Sequence, residues 1–507
     1  MRLRRRRRAC PGGATAGRIF ISTSFEGHVA VPVAEIKERT MAAGGGAAAG
    51  PALARVAAER ACAIRFADIP PEVVAVAKTH ILDQLGVGLV AATLPRNRPL
   101  AALASALGAG GNSTALGFAA AVPAAAAALR NGALMHSLEY DGTHTASVTH
   151  AGSVVAPAAL AVAEETGAPG SDFLRAFVLG WEVFVRLGLA APGAFGRRGF
   201  QFTAVGGPFA GALTAGLVMK LDSGQITHAL GIAGSQASGV MQFVHEGATV
   251  KALHAGWPAH AGLLAARLAE AGMTGPASIL EGADGFYRAY TDDAGAPGRL
   301  HEHLKTLGEH WHLREAALKM RASCHYIQPF LECLEILLGR GLDPDDVAAI
   351  HCEVPPGEEA LICEPWTEKL RPASAYQAKF SLPYALGALL VDGAVTLETF
   401  EGPARSEVCA AAACMTWSPM ADGDFPNRYG ARLIVTTRSN ERLRAEVEDV
   451  RGTPGRPLAD GEVLGKFLDC ARRALQDGEP ERVVAAVHEL DRAPDLAALT
   501  AALRCVR

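Results

Sequence analysis

Three observations predict a mostly α protein: a large all-helical domain with an inserted smaller α+β lid domain. Apolar residues recur at three- and four-residue spacing through most of the chain beyond residue 70, whereas alternation with period two is confined to about 313–457. These are the patterns of a helix face and of a half-buried strand. Small residues dominate, with 55 glycines and only 6% aromatic residues, a composition suited to helices that approach closely. A chain of 507 residues, 50% hydrophobic and 20% charged, can bury a large core.

Residues 1–50 stand apart, with an unbroken basic run from Arg4 to Arg8 and GGGAAAG at 44–50. A disordered extension, a transit peptide, or text ahead of a true start at Met41 all fit, and this stretch is set outside the fold. The first part of the helical domain is placed at 51–312. It opens at Pro70-Pro71, where Ile81, Leu85 and Leu89 follow at four-residue spacing. Further helices are predicted at 124–140, 153–167, 171–188, 203–220, 224–240 and 256–272, separated by Gly, Pro or Asp. The longest uncharged stretch, Phe202 to Met219, reads as a buried helix rather than a membrane span.

In the lid, placed at 313–457, Ile350, Cys352 and Val354 alternate with His351 and Glu353, and Leu433 to Thr437 is a β-prone run. Helical text at 326–340 and 379–392 makes this unit α+β. Residues 458–507, with Val463, Phe467 and Cys470 on one face, are predicted to return to the helical domain.

Net charge is −4, from 48 basic and 52 acidic residues without a long basic face, which argues against a nucleic-acid partner. Ten cysteines without CxxC spacing read as reduced thiols of a cytoplasmic protein, and no membrane partner is expected. No glycine-rich phosphate loop sits between strand and helix, so no nucleotide cofactor is expected.

Two clusters could carry chemistry. From His136 to His150, HSLEYDGTHTASVTH packs Glu139, Asp141, Thr143, His144 and His150 into a stretch whose glycine and hydroxyl residues read as a loop. An ordinary polar helix connection is the plain alternative. In the second, VKALHAGWPAH from Val250, Lys251 and His254 share a helical face and Gly256 admits a close backbone. A lysine beside a histidine suits a carboxylate, although a solvated surface pair is the default.

These clusters resemble the MmgE/PrpD family. NGALMHSLEYDGTH from Asn131 and HAGSVVAPAALAVAE from His150 are similar to its acidic Asp-Thr-His loop and its His-Pro-Gly helix entry. The register continues through FVLGWEVFVRLG from Phe177, ALGIAGSQASG from Ala229, KALHAG from Lys251, GPASILEGADGF from Gly275 and AKFSLPYALGALLVDG from Ala378, covering roughly residues 55 to 480. The resemblance implies a helical domain with an inserted lid, a cleft between them, a homodimer, and no metal or organic cofactor. In decarboxylase-type members, an acidic residue, a threonine, a histidine and a lysine correspond to Glu139, Thr143, His150 and Lys251. Departures fall at Gln201, where the family often has histidine; at Cys324, where the decarboxylases have a lid histidine and dehydratase-like members commonly cysteine; near Leu361 in place of a lid tyrosine; and at Gln328 in place of a further histidine.

The resemblance implies a hydro-lyase of the 2-methylcitrate dehydratase type acting on a small di- or tricarboxylate. Asp141 and His150 are assigned to proton transfer, Thr143 to orientation, and Lys251, with His254 or Arg321, to carboxylate binding. Glu139, His144, Cys324, His325 and Lys379 complete the expected binding set. His325 reads equally as a core or surface histidine, and Lys379 and Ser381 as cleft-facing or structural. Decarboxylation and isomerisation or epimerisation stay open. From other classes, a metal-dependent hydrolase on Glu139, Asp141, His144 and His150 matches no zinc spacing, and a non-catalytic carboxylate-binding protein is permitted by Gln201 and Gln328.

Overall fold

Helices form where apolar spacing runs unbroken between glycine or proline stops. The computed structural model describes residues 51–507 apart from Ala109, and the expected extension at 1–50 lies outside the described residues. Pro71 opens the long helix Pro71–Thr93, and Gly167, in the left-handed conformation, ends Gly152–Thr166. Between them, Ala124–His136 ends on the first residue of the first chemical cluster. Phe202–Val218, the uncharged stretch, is buried along its whole length.

Small residues set how closely these helices pack. A Cβ on Gly211 of Phe202–Val218 would lie 2.9 Å from the carbonyl oxygen of Pro258, and one on Gly256 would lie 2.3 Å from that of Leu129. Helices Phe202–Val218 and Ala124–His136 therefore press their backbones against Leu253–Glu270, where any larger residue would force them apart. The packing gathers the end of one helix and the starts of two others, which carry His136, Gln201 and His254, into one region.

The described residues form two hydrophobic cores. One collects residues from Leu53 to Ala322 and from Phe467 to Leu503; the other collects residues from Cys324 to Val450. Asp460–Ala471 returns to the first core, where Phe467 lies against Gly86 of Pro71–Thr93.

The strands are few, so the protein is mostly α with a small sheet region. The two-residue strands β1 (Thr143–His144) and β2 (Ala316–Ala317) pair antiparallel, with Thr143 opposite Ala317. The main sheet comprises β3 (Val347–Val354), β4 (Met415–Pro419), β5 (Ala431–Thr437) and β6 (Arg442–Val447) in the order β4-β3-β5-β6. β3 is parallel to β4 and antiparallel to β5, with Ile350 opposite Val435 and Cys352 opposite Leu433. These apolar residues face the helix Gln328–Gly339, the alternation read in the sequence.

Candidate active site

The first cluster forms a loop, as its Gly, Ser and Thr content predicts, and is held from several directions. β2 pairs with it at Thr143, and two backbone bonds between His144 and Thr149 close a tight turn over residues 145–148. Glu139 (φ 56°) and Val148 (φ 51°) adopt left-handed backbone, costing each roughly 1–2 kcal/mol. At Glu139 the surroundings impose it. Its carboxylate pairs with Lys251 and accepts from the Tyr376 hydroxyl at 3.2 Å, while its carbonyl accepts from Lys319 Nζ at 3.1 Å. Burial opposes ionisation of Glu139, but Lys251 and then Lys319 outweigh it and hold the carboxyl at about 2.

Asp141 is the hub of a second buried group. Its Oδ2 accepts from His136 Nδ1 at 2.7 Å and from the Ser153 hydroxyl at 2.6 Å, and His150 Nδ1 stands 3.0 Å from the same oxygen. Burial works against the Asp141 carboxylate, yet the facing imidazoles of His150 and His136 keep its pKa well below the ordinary range. His150 moves the other way: burial, only partly countered by Asp141, lowers its pKa to about 4, so its imidazole is neutral at neutral pH. The chain of polar contacts extends outward. His254 Nδ1 lies 2.5 Å from Gln201 Oε1, and Gln201 Nε2 lies 3.4 Å from His136 Nε2.

Between the two cores lies a cavity of about 740 Å³ into which Glu139, Thr143, His150 and Lys251 project, joined by Lys319, Cys324 and His325. Lys251 and His150, from separate parts of the sequence, thus share one cavity. Among the described residues, the Thr143 hydroxyl and both ring nitrogens of His325 have no hydrogen-bond partner, leaving them for a bound molecule. Burial pushes the Cys324 thiol up to about 12, so it is a neutral donor rather than a nucleophile.

Four expected binding residues do not line this cavity. β1 alternates its side chains, so Thr143 faces the cavity and His144 faces away, 2.8 Å from the Ser147 hydroxyl and 3.3 Å from Glu315. Arg321 pairs with Glu335 of the helix Gln328–Gly339. Lys379 donates to the Ala322 carbonyl at 2.8 Å and lies 5.0 Å from the Phe400 ring centroid. His254 reaches the site only through Gln201. Gln328, one of the departures, is structural: it donates to the Arg321 carbonyl at 2.7 Å and accepts from the Met320 amide.

The ligand set supposed for a metal does not assemble, because His144 is drawn away from Asp141 and His150. Two other groupings bring ligand atoms within 4.8 Å of one another: His136, Asp141 and His150, and His144, His312 and Glu315. In the first, both histidines turn Nδ1 to one carboxylate oxygen already shared with Ser153. In the second, Glu315 is ringed by His144, His310 and His312. Hydrogen bonding already accounts for both.

Sequence reasoning missed Lys319, His136 and Tyr376. Lys319 is buried and lines the cavity, whereas Arg321, two residues on, pairs with Glu335, and no local sequence signal tells the two apart. His136 opens the cluster, and Tyr376 reaches Glu139 from the short helix Ala375–Ala378 across 237 residues of sequence, for which no local signal exists.

Fold and site together define a mostly helical protein with a cavity at the junction of two cores, its ionisable groups gathered at helix and loop ends. Residues 55–297 match the MmgE/PrpD N-terminal domain and residues 322–492 the MmgE/PrpD C-terminal domain, so the chain belongs to the MmgE/PrpD family, which is enzymatic. It is similar to cis-aconitate decarboxylase of Aspergillus terreus, 27% identical over 86% of this chain and 93% of that protein. It is also similar to the cis-aconitate decarboxylase-like protein oryM of Aspergillus oryzae, at 29% over 86% and 94%, and to human cis-aconitate decarboxylase, at 26% over 87% and 92%.

Proposed function

We propose that this protein is a lyase for small polycarboxylates and that its reaction is loss of carbon dioxide from an unsaturated acid of the cis-aconitate type. One observation carries the reading: Lys251, Lys319 and His150 line a single cavity, putting two cations and a proton carrier within reach of one small anion. The names of the relatives, which match over most of their length, supply the decarboxylase.

In such an acid the departing carboxylate is β,γ to a carbon–carbon double bond. When its bond to carbon breaks, the electron pair forms a new double bond, and the old one shifts its pair onto the carbon beside a second carboxylate. A proton delivered there completes the reaction. Lys319, whose only protein acceptor is the Glu139 carbonyl, keeps two N–H groups for the retained carboxylate, where negative charge accumulates. Lys251 is half-neutralised by Glu139 and serves as a second anchor. Binding a polyanion beside His150 counters the burial that keeps its imidazole neutral, so the substrate itself favours the protonated donor, backed by Asp141. His325, with both ring nitrogens free, is positioned as a further hydrogen-bonding group.

A second reading, elimination of water from a hydroxy-tricarboxylate such as 2-methylcitrate, is favoured by Cys324. It uses the same anchors with His150 as base. Incubating the protein with cis-aconitate, citrate and 2-methylcitrate and following each acid by mass separates the two. Loss of carbon dioxide from cis-aconitate supports the first, loss of water from a hydroxy acid the second, and an unchanged mass for all three overturns the proposal.

A further inference from the structure

Resting on that lyase reading, we infer that the acid taken by this site carries an alkyl chain, and that the flank formed by residues 188–202 and 241–245 holds it. Two observations lead there: how large the cavity is and where its charges lie.

At about 740 Å³ the cavity falls in the range of roughly 300–1,000 Å³ that encloses drug-sized molecules, far more than a small tricarboxylate fills. Its charged side chains are Glu139, Lys251 and Lys319, plus Arg197. Arg197 is 60% exposed and 3.6 Å from Asp292, so it belongs to the rim.

The flank is different in kind. Phe195 and Phe202, with ring centroids 4.8 Å apart, line it together with Phe200, Met241 and Val244. Its two segments are tied as one surface, because the Met241 amide donates to the Gly199 carbonyl at 2.8 Å and the Gln201 amide to the Gly239 carbonyl at 3.1 Å. Gly196 and Gly199 also line the cavity here, and a Cβ on either would meet nothing within 4 Å, so space that side chains would occupy is left open. Of the polar side chains in the flank, Arg197 and His245 are exposed at its rim, and Gln201 is already engaged by His254 and His136. Inside that rim a hydroxylated or charged substituent would lose water without gaining a partner, whereas each methylene gains from burial. The flank also begins where the charged end stops: Phe202 follows Gln201 directly and sits beside Ser147 of the turn at residues 145–148.

The test is a substrate series: cis-aconitate and its methyl-, butyl- and hexyl-substituted forms, each measured for kcat/KM and, by calorimetry, for Kd. Each methylene that fits should raise kcat/KM about three- to fourfold until the flank is full. Val244→Asp, at a half-buried position that tolerates a charge, should reduce the preference for the hexyl form about tenfold while leaving cis-aconitate turnover within about twofold; Phe200→Ala should act in the same direction. Turnover of cis-aconitate with kcat/KM flat or falling as the chain lengthens would overturn the inference and leave the lyase reading standing. With no turnover of any acid, the lyase reading fails and calorimetry judges the flank by itself: affinity rising with chain length keeps it, and affinity independent of chain length, or no binding at all, overturns it.

Discussion

Two buried lysines offer a sharp contrast between a group kept for binding and a group kept for folding. Among the described residues, Lys319 makes one hydrogen bond, to the Glu139 carbonyl at 3.1 Å, and has no ion-pair partner. Burial is the largest influence on it and lowers its pKa, with Asp141 and Glu139 opposing. Lys466 is equally hidden but fully engaged: its Nζ lies 2.6 Å from Asp83 Oδ1, donates to the carbonyls of Tyr140 at 2.9 Å and Lys319 at 2.8 Å, and stands 3.7 Å from the Tyr140 ring centroid. Replacing Lys319 with methionine removes one charged hydrogen bond, worth ~1.5–3 kcal/mol, but also relieves a desolvation penalty of several kcal/mol. The stability of Lys319→Met should therefore match or exceed that of the parent. If Lys319 holds the carboxylate on which charge develops, the same ~1.5–3 kcal/mol is lost from the transition state, lowering kcat/KM roughly 10- to 150-fold. Lys466→Met instead strands Asp83 as an unpaired buried carboxylate and should cost ~3–5 kcal/mol of stability. Urea unfolding followed by circular dichroism, together with kcat/KM on the acid that is turned over, measures both variants. A Lys319→Met protein destabilised as much as Lys466→Met, with kcat/KM intact, would refute this reasoning.

Stability should also fall in acid for reasons fixed by the site. His150 and His254 are held at about 4 by burial, against an ordinary value of 6.5, so the stability they contribute is complete above pH 6.5 and is lost as pH drops through about 4. Glu139, lowered from 4.5 to about 2, adds a further loss between those values. The urea midpoint should decline from about pH 7 to about pH 4, and His150→Asn should flatten part of that decline; a midpoint constant over this range contradicts the assignment. Glu139→Gln leaves Lys251 buried without its anion and close enough to Lys319 to repel it, so about 3–5 kcal/mol of stability should be lost, together with a displaced pH–activity profile. Arg321→Ala removes only a half-exposed pair with Glu335, away from the cavity, so kcat/KM should stay within about twofold and stability within ~1 kcal/mol. A large loss of activity there would return Arg321 to the substrate.

Periodicity alone exposed the helices, because long amphipathic runs bounded by glycine and proline state their own conformation. The strands were legible for the same reason, with Ile350, Cys352 and Val354 facing inward as their alternation requires. The site was half legible. Loop chemistry marked the stretch around Asp141 and His150, but direction within a two-residue strand is a matter of parity, and β1 turned Thr143 to the cavity and His144 to Glu315. Lys319 stayed hidden for another reason: nothing local distinguishes a cation that lines the cavity from Arg321, which pairs with Glu335. Nothing local announces that Tyr376 reaches Glu139, since that contact exists only once the two cores have met.

That meeting has an engineering consequence. Tyr376 donates to Glu139, and the Tyr429 hydroxyl donates to the Thr145 carbonyl at 3.2 Å, so both halves of the chain contribute to the cavity's walls and to the posture of its loop. A polypeptide cut near residue 313 would yield one fragment with His150 and Lys251 and another with Lys319 and His325, neither owning a complete set. Recombining the fragments and titrating recovered turnover would turn the reaction into a gauge of how firmly the halves embrace.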